Sequence, residues 1–336
     1  MQHDSIQGSS HPDPSHRDPV VPVVVGIDVA KATLDCHIDP TGRRLHLAND
    51  EKGIAQLLSQ LRSLKVQLVV IEATGRLHRQ VAAELLQADI PVALVNPQRA
   101  RQYAHSIGKL EKTDRVDAQV LAGFGRAAQH QRLEKPSEKQ VELNDLISRR
   151  RALVQMRVAE KNRLAEVHQP KLAKSQAAKL LLLIEQQIQE IDDAIAQIID
   201  DDDHWKRLLE IITSIPGVST GTANQLLADL PELGKLNRQQ IAKLAGVAPL
   251  ANDSGPRRGQ RSIQGGRRPV RNALYMAAFN AIKYCERFKR YAKHLTDSGK
   301  PFKVVVTAAM RKLLITLNQM VKTNSTYNRE LNLSTH

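Results

Sequence analysis

The feature that most constrains the fold is a succession of strand and helix patterns between Val21 and Ala128. The run VPVVVGIDVA is almost continuously apolar, which is typical of a strand buried on both faces. ATLDCHID alternates apolar and polar residues, and RRLHLAN follows a Pro-Thr-Gly turn, so two further strands are predicted. GIAQLLSQLRSL then predicts an amphipathic helix, and QLVVIEA predicts a buried strand. HRQVAAELLQADI predicts a second helix, and PVALVNP predicts a last strand that is closed by Pro97.

Three strands in a meander, followed by helix, strand, helix and strand, is the order of a ribonuclease-H-like domain. We expect this α/β fold for residues 23–130. A doubly wound nucleotide-binding fold is the alternative, but no glycine-rich phosphate loop follows the first strand. Residues 1–22 are rich in Pro, His, Asp and Ser and lack an apolar core, so they predict a disordered extension, not a signal peptide.

The second half of the chain is predicted to be almost entirely helical. Residues 137–204 form two long helices broken at Pro170, and isoleucines repeat in the second helix at steps of four and three. This seam comprises Ile184, Ile188, Ile191, Ile195 and Ile198. It predicts a coiled coil, either between two chains, which we favour, or as a helical hairpin within one chain. Residues 205–325 predict a mostly α-helical C-terminal domain, and residues 326–336 a tail.

Charge and composition indicate the class of partner. The 336 residues include 49 Lys and Arg against 35 Asp and Glu, which gives a net charge of +14. Such a balance favours a polyanion, most commonly nucleic acid. Aromatic residues are only 3% of the chain, so phosphate contacts are expected to dominate over base stacking. Cys36 and Cys285 fit neither a disulfide framework nor a zinc site, and no membrane-spanning stretch is expected, so we predict a cytoplasmic protein with buried, reduced thiols.

Acidic residues indicate a metal site. Asp28 and Glu72 stand where apolar strands end, and Asp114 and Asp117 are spaced to share one face of a helix. Carboxylates gathered on an α/β scaffold are the usual ligands of Mg²⁺ or Mn²⁺. In a protein this basic, the substrate of such a site is expected to be a phosphodiester. The alternative is that these residues are unrelated helix caps and surface charges.

Two segments of the C-terminal half predict contacts with phosphate. LLEIITSIPGVSTGTANQLLADL has a helix-hairpin-helix pattern whose Gly217 turn would present backbone N–H groups to a phosphate; a plain helical turn is the alternative. A glycine-rich loop then begins near Ser254, a serine that could attack phosphorus but that equally suits a turn. The arginines of this segment predict a phosphate cradle, although a solvated basic loop is possible: Arg257, Arg258, Arg261, Arg267, Arg268 and Arg271.

A family resemblance runs from about Val23 to about Lys322. GIDVAK, IEATG, VNP and KTDRVDA occur in this order, followed by SIPGV, LAGVAP, a Ser-Gly loop, GGRRPVRNALYMAA and KVVVTAAMRKLL. Together they resemble the DEDD transposases of the IS110/IS1111-type insertion-sequence family, which is related to the Piv invertase. The N-terminal extension has no obvious counterpart in that family.

The resemblance implies a RuvC-like domain, a coiled-coil linker and a C-terminal transposase domain. It assigns the metal-binding tetrad to Asp28, Glu72, Asp114 and Asp117, and the nucleophile to Ser254. Members recombine donor and target DNA through a covalent phosphoserine intermediate, assemble as dimers that pair into tetramers, and in some cases are guided by a bridge RNA. The alternatives are a metal-dependent Holliday-junction-type endonuclease that uses water, and a non-catalytic DNA-binding protein.

Overall fold

The structure, a computed structural model, describes residues 21–73, 77–109, 114–130, 132–166, 170–251, 253, 259 and 261–328, without the side chains of residues 114 and 115. The chain divides into two compact units, residues 1–136 and 137–336.

The N-terminal unit contains a five-stranded sheet in the order β3-β2-β1-β4-β5. Its strands are β1 Val23–Val29, β2 Thr33–Asp39, β3 Arg43–Ala48, β4 Val66–Glu72 and β5 Val92–Val95. The first three strands are antiparallel, whereas β4 and β5 run parallel to β1. All five strands were predicted, and the meander followed by parallel crossovers confirms the ribonuclease-H-like fold. The doubly wound alternative is wrong, because β2 is antiparallel to β1.

Helices cover both faces of this sheet. They are α1 Glu51–Arg62, α2 Arg79–Gln87, α3 Pro97–Ser106 and α4 Asp114–Ala127. Side chains alternate along the strands, so Val25 and Ile27 of β1 belong to one apolar core with α1 and α2. Val24 belongs to a second core with Leu121 of α4 on the opposite face. Pro97, which we expected only to close a strand, is also the first residue of α3, where its missing N–H costs no hydrogen bond.

The C-terminal unit is a helical array in the part of it that the structure describes. Its helices are α5 Glu138–Leu164, α6 Lys171–Asp200, α7 Asp203–Thr213, α8 Thr220–Asp229, α9 Arg238–Leu244, α10 Arg268–Tyr284, α11 Glu286–Asp297 and α12 Phe302–Lys322. One apolar core connects Leu143 and Ile195 of the long helices with Leu226, Leu274 and Leu313 of the later ones. The long helices and the C-terminal helices therefore fold as one unit.

The isoleucine seam of α6 is filled within the chain. Ile184 and Ile188 pack on Leu153 of α5, and Ile195 lies in the main core with Ile147. Arg150 of α5 also forms a two-pronged ion pair with Asp192 of α6, which raises the pKa of the guanidinium. The described structure thus supports the helical-hairpin interpretation for these isoleucines. Any contact between chains would use other residues of the hairpin.

Helix α12 corrects the expectation that no segment could cross a membrane. Its 21 residues are long and apolar enough to do so, and it is the one such helix among the described residues. Half of the apolar window is buried inside the unit, where Val306, Leu313 and Leu317 join the main core. The composition of α12 is therefore explained by its place in that core.

Candidate functional site

Asp28 and Glu72 lie side by side at the ends of neighbouring parallel strands. Ile27 of β1 pairs with Ile71 of β4, so Asp28 and Glu72 follow this pair in the same register. Parallel strands lie about 4.8 Å apart, which brings the two backbones within carboxylate reach of one ion. Alternation places Asp28 on the face of Val24 and Glu72 on the face of Val70, and both valines belong to the core under α4. Both acids are half-buried.

Helix α4 brings its first turn towards the same edge of the sheet. A Cβ built on Gly26 would lie 2.1 Å from the Ala118 carbonyl oxygen, whereas a Cβ on Gly125 would contact Val70 and Val24. Near the other end of the helix, Arg126 binds the Asp39 carboxylate and the Pro22 carbonyl oxygen. The helix therefore runs antiparallel to β1.

This direction decides where the second pair of acids lies. Asp117 directly precedes Ala118 and is half-buried, and Asp114 is the first residue of α4. The start of the helix lies beyond Gly26, on the side of the carboxyl ends of β1 and β4. The structure thus brings the backbone positions of the predicted acids to one sheet edge. The side chain of Asp114 lies outside the described residues.

The donor chemistry of this edge fits a hard divalent cation. Carboxylate oxygens at strand ends and on a helix start are typical Mg²⁺ ligands. Among the described side chains, no group of three or more His, Cys, Asp or Glu is positioned to hold a metal ion. Asp28, Glu72 and Asp117 belong to the described side chains and do not form such a group, and the Asp114 side chain lies outside them, so the tetrad stays a prediction.

A further acid at this edge was missed by the sequence analysis. Asp35 of β2 pairs directly with Asp28 across the strands, and its carboxylate contacts His46 Nδ1 at 2.8 Å. Asp35 also lines a cleft of about 290 Å³ with Arg44, His46 and Ala118 of α4. The alternation of ATLDCHID could have indicated it, because Leu34 and Cys36 take the opposite, apolar face.

Cys36, next to this acid, is buried and carries no sign of reactivity. Burial raises the pKa of its thiol to about 12, and the neighbouring Asp35 charge acts in the same direction. Cys285 is also a free, buried thiol. Both cysteines are therefore buried and free, as predicted.

The segment between Leu250 and Ser262, which we call the serine loop, is closed by a hydrogen bond at its stem. Leu250 N–H donates to the Ser262 carbonyl oxygen at 2.9 Å, which closes the segment that contains Ser254. Within this segment the Asp253 carboxylate accepts hydrogen bonds from Gly259 N–H at 3.1 Å and from the Arg261 guanidinium at 2.9 Å. Ser254, Arg257 and Arg258 lie outside the described residues, so their roles stay predictions.

Two arginines of the predicted cradle have other partners in the structure. The Arg267 guanidinium binds both Glu232 carboxylate oxygens at 2.6 Å and also donates to the Asp229 carbonyl oxygen. Arg271 donates to the Gly265 carbonyl oxygen and holds that loop against Gly246. Arg267 and Arg271 therefore contribute to the fold, and their phosphate contacts stay predictions. Arg268, at the start of α10, is exposed.

Several glycines of this region allow close backbone approach. A Cβ on Gly266 would lie 2.2 Å from Gly246 N, and both glycines have positive φ. The lack of a side chain at Gly266 lets the loop pack on the end of α9. A Cβ on Gly217 would likewise lie 2.6 Å from the backbone of Asn280 in α10. The structure gives Gly217 a packing role, and its phosphate contact stays a prediction.

Comparisons with known proteins match both halves of the chain. A DEDD transposase model of the IS110 type matches residues 25–169, and the model of the transposase IS116/IS110/IS902 family matches residues 209–293. The chain belongs to the IS110 family of transposases. The transposase is an enzyme that cleaves and rejoins DNA strands. The matched ranges contain all the predicted site residues.

Relatives of this transposase align over most of its length. It is 26% identical over 317 residues to a pilin gene-inverting protein of Moraxella bovis, covering 91% of this chain and 98% of that protein. It is 25% identical over 265 residues to the transposase for insertion sequence element IS1111A of Coxiella burnetii, covering 69% and 70%. Among solved structures, T. thermophilus RuvC in complex with a Holliday junction substrate is similar over 34% of this chain and 100% of its own, at 15% identity and a TM-score of 0.26.

Proposed function

We propose that this transposase recombines DNA through a covalent link to Ser254, assisted by a divalent cation at Asp28, Glu72, Asp114 and Asp117. The observation that carries the metal site is the position of Asp28 and Glu72 at the ends of adjacent parallel strands, under the helix that begins with Asp114. Mg²⁺ is the expected ion and Mn²⁺ a substitute, because both prefer oxygen ligands. Such an ion would offset negative charge that develops on the phosphate oxygens.

The serine step conserves the energy of the phosphodiester. The Ser254 Oγ attacks phosphorus, the Oγ–P bond forms, and the P–O bond to one strand breaks. The serine proton leaves, and the departing strand oxygen ends as a hydroxyl group. A strand hydroxyl then attacks the phosphorus of the phosphoserine, the Oγ–P bond breaks and Ser254 is restored. No nucleoside triphosphate is therefore required. Arg257, Arg258 and Arg261 would stabilise charge on the non-bridging oxygens.

DNA of the donor and the target is the proposed substrate. The net charge of +14 supports this, because cationic side chains replace the counterions of the phosphate backbone. A structured bridge RNA is proposed as a further partner on the family resemblance alone. Sequencing the nucleic acid that copurifies with the protein tests it, and a discrete RNA from the flank of the gene is the expected result. We place the enzyme in the bacterial cytoplasm with the nucleoid.

Assembly into dimers and tetramers is proposed to involve the α5–α6 hairpin. Its isoleucine seam is filled within the chain, but large apolar side chains remain exposed on both helices. Leu172 and Leu182 of α6 are 71% and 69% exposed, and Met156 and Val158 of α5 are each 50% exposed. We propose that these exposed side chains contact a second chain, because apolar surface gains free energy when it is removed from water. Sedimentation of wild-type and Leu172→Ser, Leu182→Ser protein tests this role, with dissociation of the oligomer expected.

Trapping the covalent intermediate tests the proposed reaction. Wild-type protein and end-labelled donor DNA in Mg²⁺ are expected to give a protein–DNA adduct that survives denaturation. Ser254→Ala should abolish this adduct, whereas Ser262→Ala, a serine change at the stem of the same loop, should preserve it. Cleavage that persists in Ser254→Ala without any adduct would identify a water-using junction endonuclease instead. Steeply salt-dependent binding that is indifferent to Mg²⁺, without cleavage, would identify a DNA-binding protein.

A further inference from the structure

A cavity of the C-terminal unit lies at the stem of the serine loop. Its volume is about 710 Å³, within the range of pockets that hold small organic ligands. Helices α11 and α12 form its walls, and the segments around Pro249 and Ser262 form its rim. The Leu250–Ser262 bridge fixes this rim. Ser254 follows Leu250 by four residues in the sequence.

Cations line this cavity without any carboxylate among its described lining residues. Arg287 projects from α11, and Lys303, Arg311 and Lys312 project from α12. Lys303 and Arg311 are eight residues apart, which is about 12 Å along a helix. The positive charges therefore extend along the cavity, which suits an extended polyanion better than one small anion. Arg261 joins them at the rim, where Asp253 pairs with it.

The cavity keeps these cations at an electrostatic cost. The Nε–H of Arg311 is buried without a hydrogen-bond partner among the described residues. Lys312 Nζ lies 4.1 Å from the centre of the Tyr291 ring, and burial followed by the Arg287 charge lowers the pKa of this lysine. Buried polar groups are normally paired, so the Arg311 Nε–H calls for an acceptor in the cavity. These features indicate an anionic ligand.

Most of the remaining wall of the cavity is apolar, and Thr307 and Thr316 add hydroxyl groups to it. The apolar residues include Val247, Ile263, Val304, Ala308 and Ile315. A site for inorganic phosphate or for a continuous duplex would not need an apolar wall, because inorganic phosphate has no apolar part and the bases of a duplex are stacked inside it. An unpaired nucleotide, in contrast, offers both a base for the apolar wall and phosphates for the cations.

We propose that this cavity holds an unpaired deoxynucleotide of the DNA strand that Ser254 cleaves. The inference rests on the proposed function, because it names the DNA conformation recognised beside that serine. The phosphates contact Arg311, Lys303 and Arg287, and the base packs against Val304, Ala308 and Ile315. Strand opening at the cleavage site thereby contributes to substrate recognition.

The test compares two duplex oligonucleotides that differ by one unpaired 2-aminopurine deoxynucleotide. Full-length wild-type protein is expected to bind the bulged duplex about tenfold more tightly than the paired one, as judged by fluorescence anisotropy. The 2-aminopurine fluorescence should change on binding. Lys303→Gln and Arg311→Gln should each lower the affinity for the bulged duplex about tenfold, because each removes a charged phosphate contact. Ala308→Leu, which narrows the cavity without changing charge, should remove the preference for the bulge.

Matched controls make the outcome interpretable. Lys289→Gln removes the same charge from an exposed position of α11 outside the cavity, so it should leave the preference for the bulge intact. Thermal unfolding of every variant verifies that it folds, and exposed Lys303 keeps the test valid if Arg311→Gln does not fold. Equal affinity of wild-type protein for the two duplexes, or an unchanged preference in folded Lys303→Gln and Ala308→Leu, would overturn the inference. Tighter binding of the bulge in RNA than in DNA would overturn the assignment to DNA.

The Ser254 adduct is measured separately on the same preparations. An adduct without any preference for the bulged duplex leaves the proposed reaction standing and refutes the cavity. A preference for the bulged duplex that depends on the cavity, without an adduct, supports the cavity and refutes the proposed reaction.

Discussion

The Ala118 carbonyl oxygen of α4 packs directly on Gly26 of β1, so closely that a Cβ on Gly26 would lie 2.1 Å from it. No side chain fits between the helix and the strand at this point. Gly26 precedes Asp28 by two residues, and Ala118 follows Asp117 directly. The contact therefore fixes the distance between the two halves of the predicted metal site.

Gly26→Ala is expected to damage the site from a distance. The added methyl group would collide with backbone atoms of Ala118 and Ala122, which cannot rotate away. We expect α4 to shift, the free energy of unfolding to fall by about 1–3 kcal/mol, and metal-dependent cleavage to be lost. Urea denaturation and a DNA cleavage assay measure the two effects.

Gly123→Ala is the matched control in the same helix. The three atoms nearest to its Cβ would all belong to the Tyr103 side chain, with the hydroxyl at 3.1 Å and two ring carbons at 3.5 and 3.7 Å. This variant should retain activity, with a stability close to that of wild type because alanine favours the helix. Full activity of Gly26→Ala would show that the helix tolerates displacement without harm to the site.

Adjacent arginines at the start of α10 are predicted to differ in role. Arg267→Gln removes the two-pronged contact with Glu232 and should destabilise the C-terminal unit by about 1–3 kcal/mol. Arg268→Gln removes an exposed charge and should leave stability within about 0.5 kcal/mol of wild type. If Arg268 contacts a phosphate, its loss also lowers the slope of log K against log salt by about one.

Urea denaturation and DNA binding at several salt concentrations measure both variants. The opposite pattern, in which Arg267→Gln keeps its stability but its DNA binding depends less on salt, would indicate that Arg267 contacts a phosphate.

The fold of the N-terminal unit could be predicted because its information is local. Each strand has its own apolar pattern, and the order of strands and helices restricts the topology. Asp28 and Glu72 were recognisable because an acid that ends a buried strand is conspicuous. Asp35 was missed, since in an alternating strand a half-buried acid looks like an ordinary solvent-facing residue. The alternation places Asp35 opposite the apolar face of Leu34 and Cys36, and the register of β1 with β2 then shows that it faces Asp28.

The basic loop could not be resolved from sequence for a different reason. Six arginines within fifteen residues look equivalent in sequence, yet Arg267 is held by Glu232, thirty-five residues earlier in the chain. The cationic cavity has the same origin, because its residues come from two helices and two loop segments. In the sequence, the one sign of this cavity was the presence of a few cationic residues within the apolar stretch of α12.

The buried thiol of Cys36 predicts a loss of stability at high pH. Its pKa is raised from 9.0 to about 12 in the folded chain, so between these values the unfolded chain ionises first. The contribution is fully present below pH 9 and is lost as pH rises towards 12. Between pH 8 and pH 10.5 we expect about 2 kcal/mol of stability to be lost through this residue.

Urea denaturation of wild type and Cys36→Ala at both pH values isolates this effect. The variant has no thiol to ionise, so its loss between the two pH values should be smaller by that amount. The same pH dependence in both proteins would assign it to other groups.

Metal binding is expected to stabilise the N-terminal unit. Carboxylates at one sheet edge repel each other, and a bound cation relieves this repulsion. A Mg²⁺ concentration ten times Kd adds about 1.4 kcal/mol, which raises the melting temperature by about 4 °C. Asp28→Asn should abolish the rise that Mg²⁺ causes.

Asp89→Asn removes the same charge from an exposed residue of this unit and serves as the control. Asp89 has a φ of 56°, which asparagine adopts readily. This variant should keep the full Mg²⁺ effect. A Mg²⁺ effect that survives in Asp28→Asn would place the ion elsewhere.

Mixing two inactive chains tests whether strand cleavage depends on assembly. Ser254 and Asp28 belong to different compact units, and we expect the serine of one chain to act with the metal site of another. Ser254→Ala and Asp28→Ala proteins should each be inactive alone. In a statistically mixed dimer, one chain supplies an intact serine and the other an intact Asp28, so about a quarter of the wild-type activity should return.

Differently tagged wild-type chains, mixed and captured through one tag, establish that subunits exchange under the same conditions. Exchange without recovery of cleavage would show that each chain uses its own serine and its own carboxylates, because in that arrangement no mixed dimer contains a complete site.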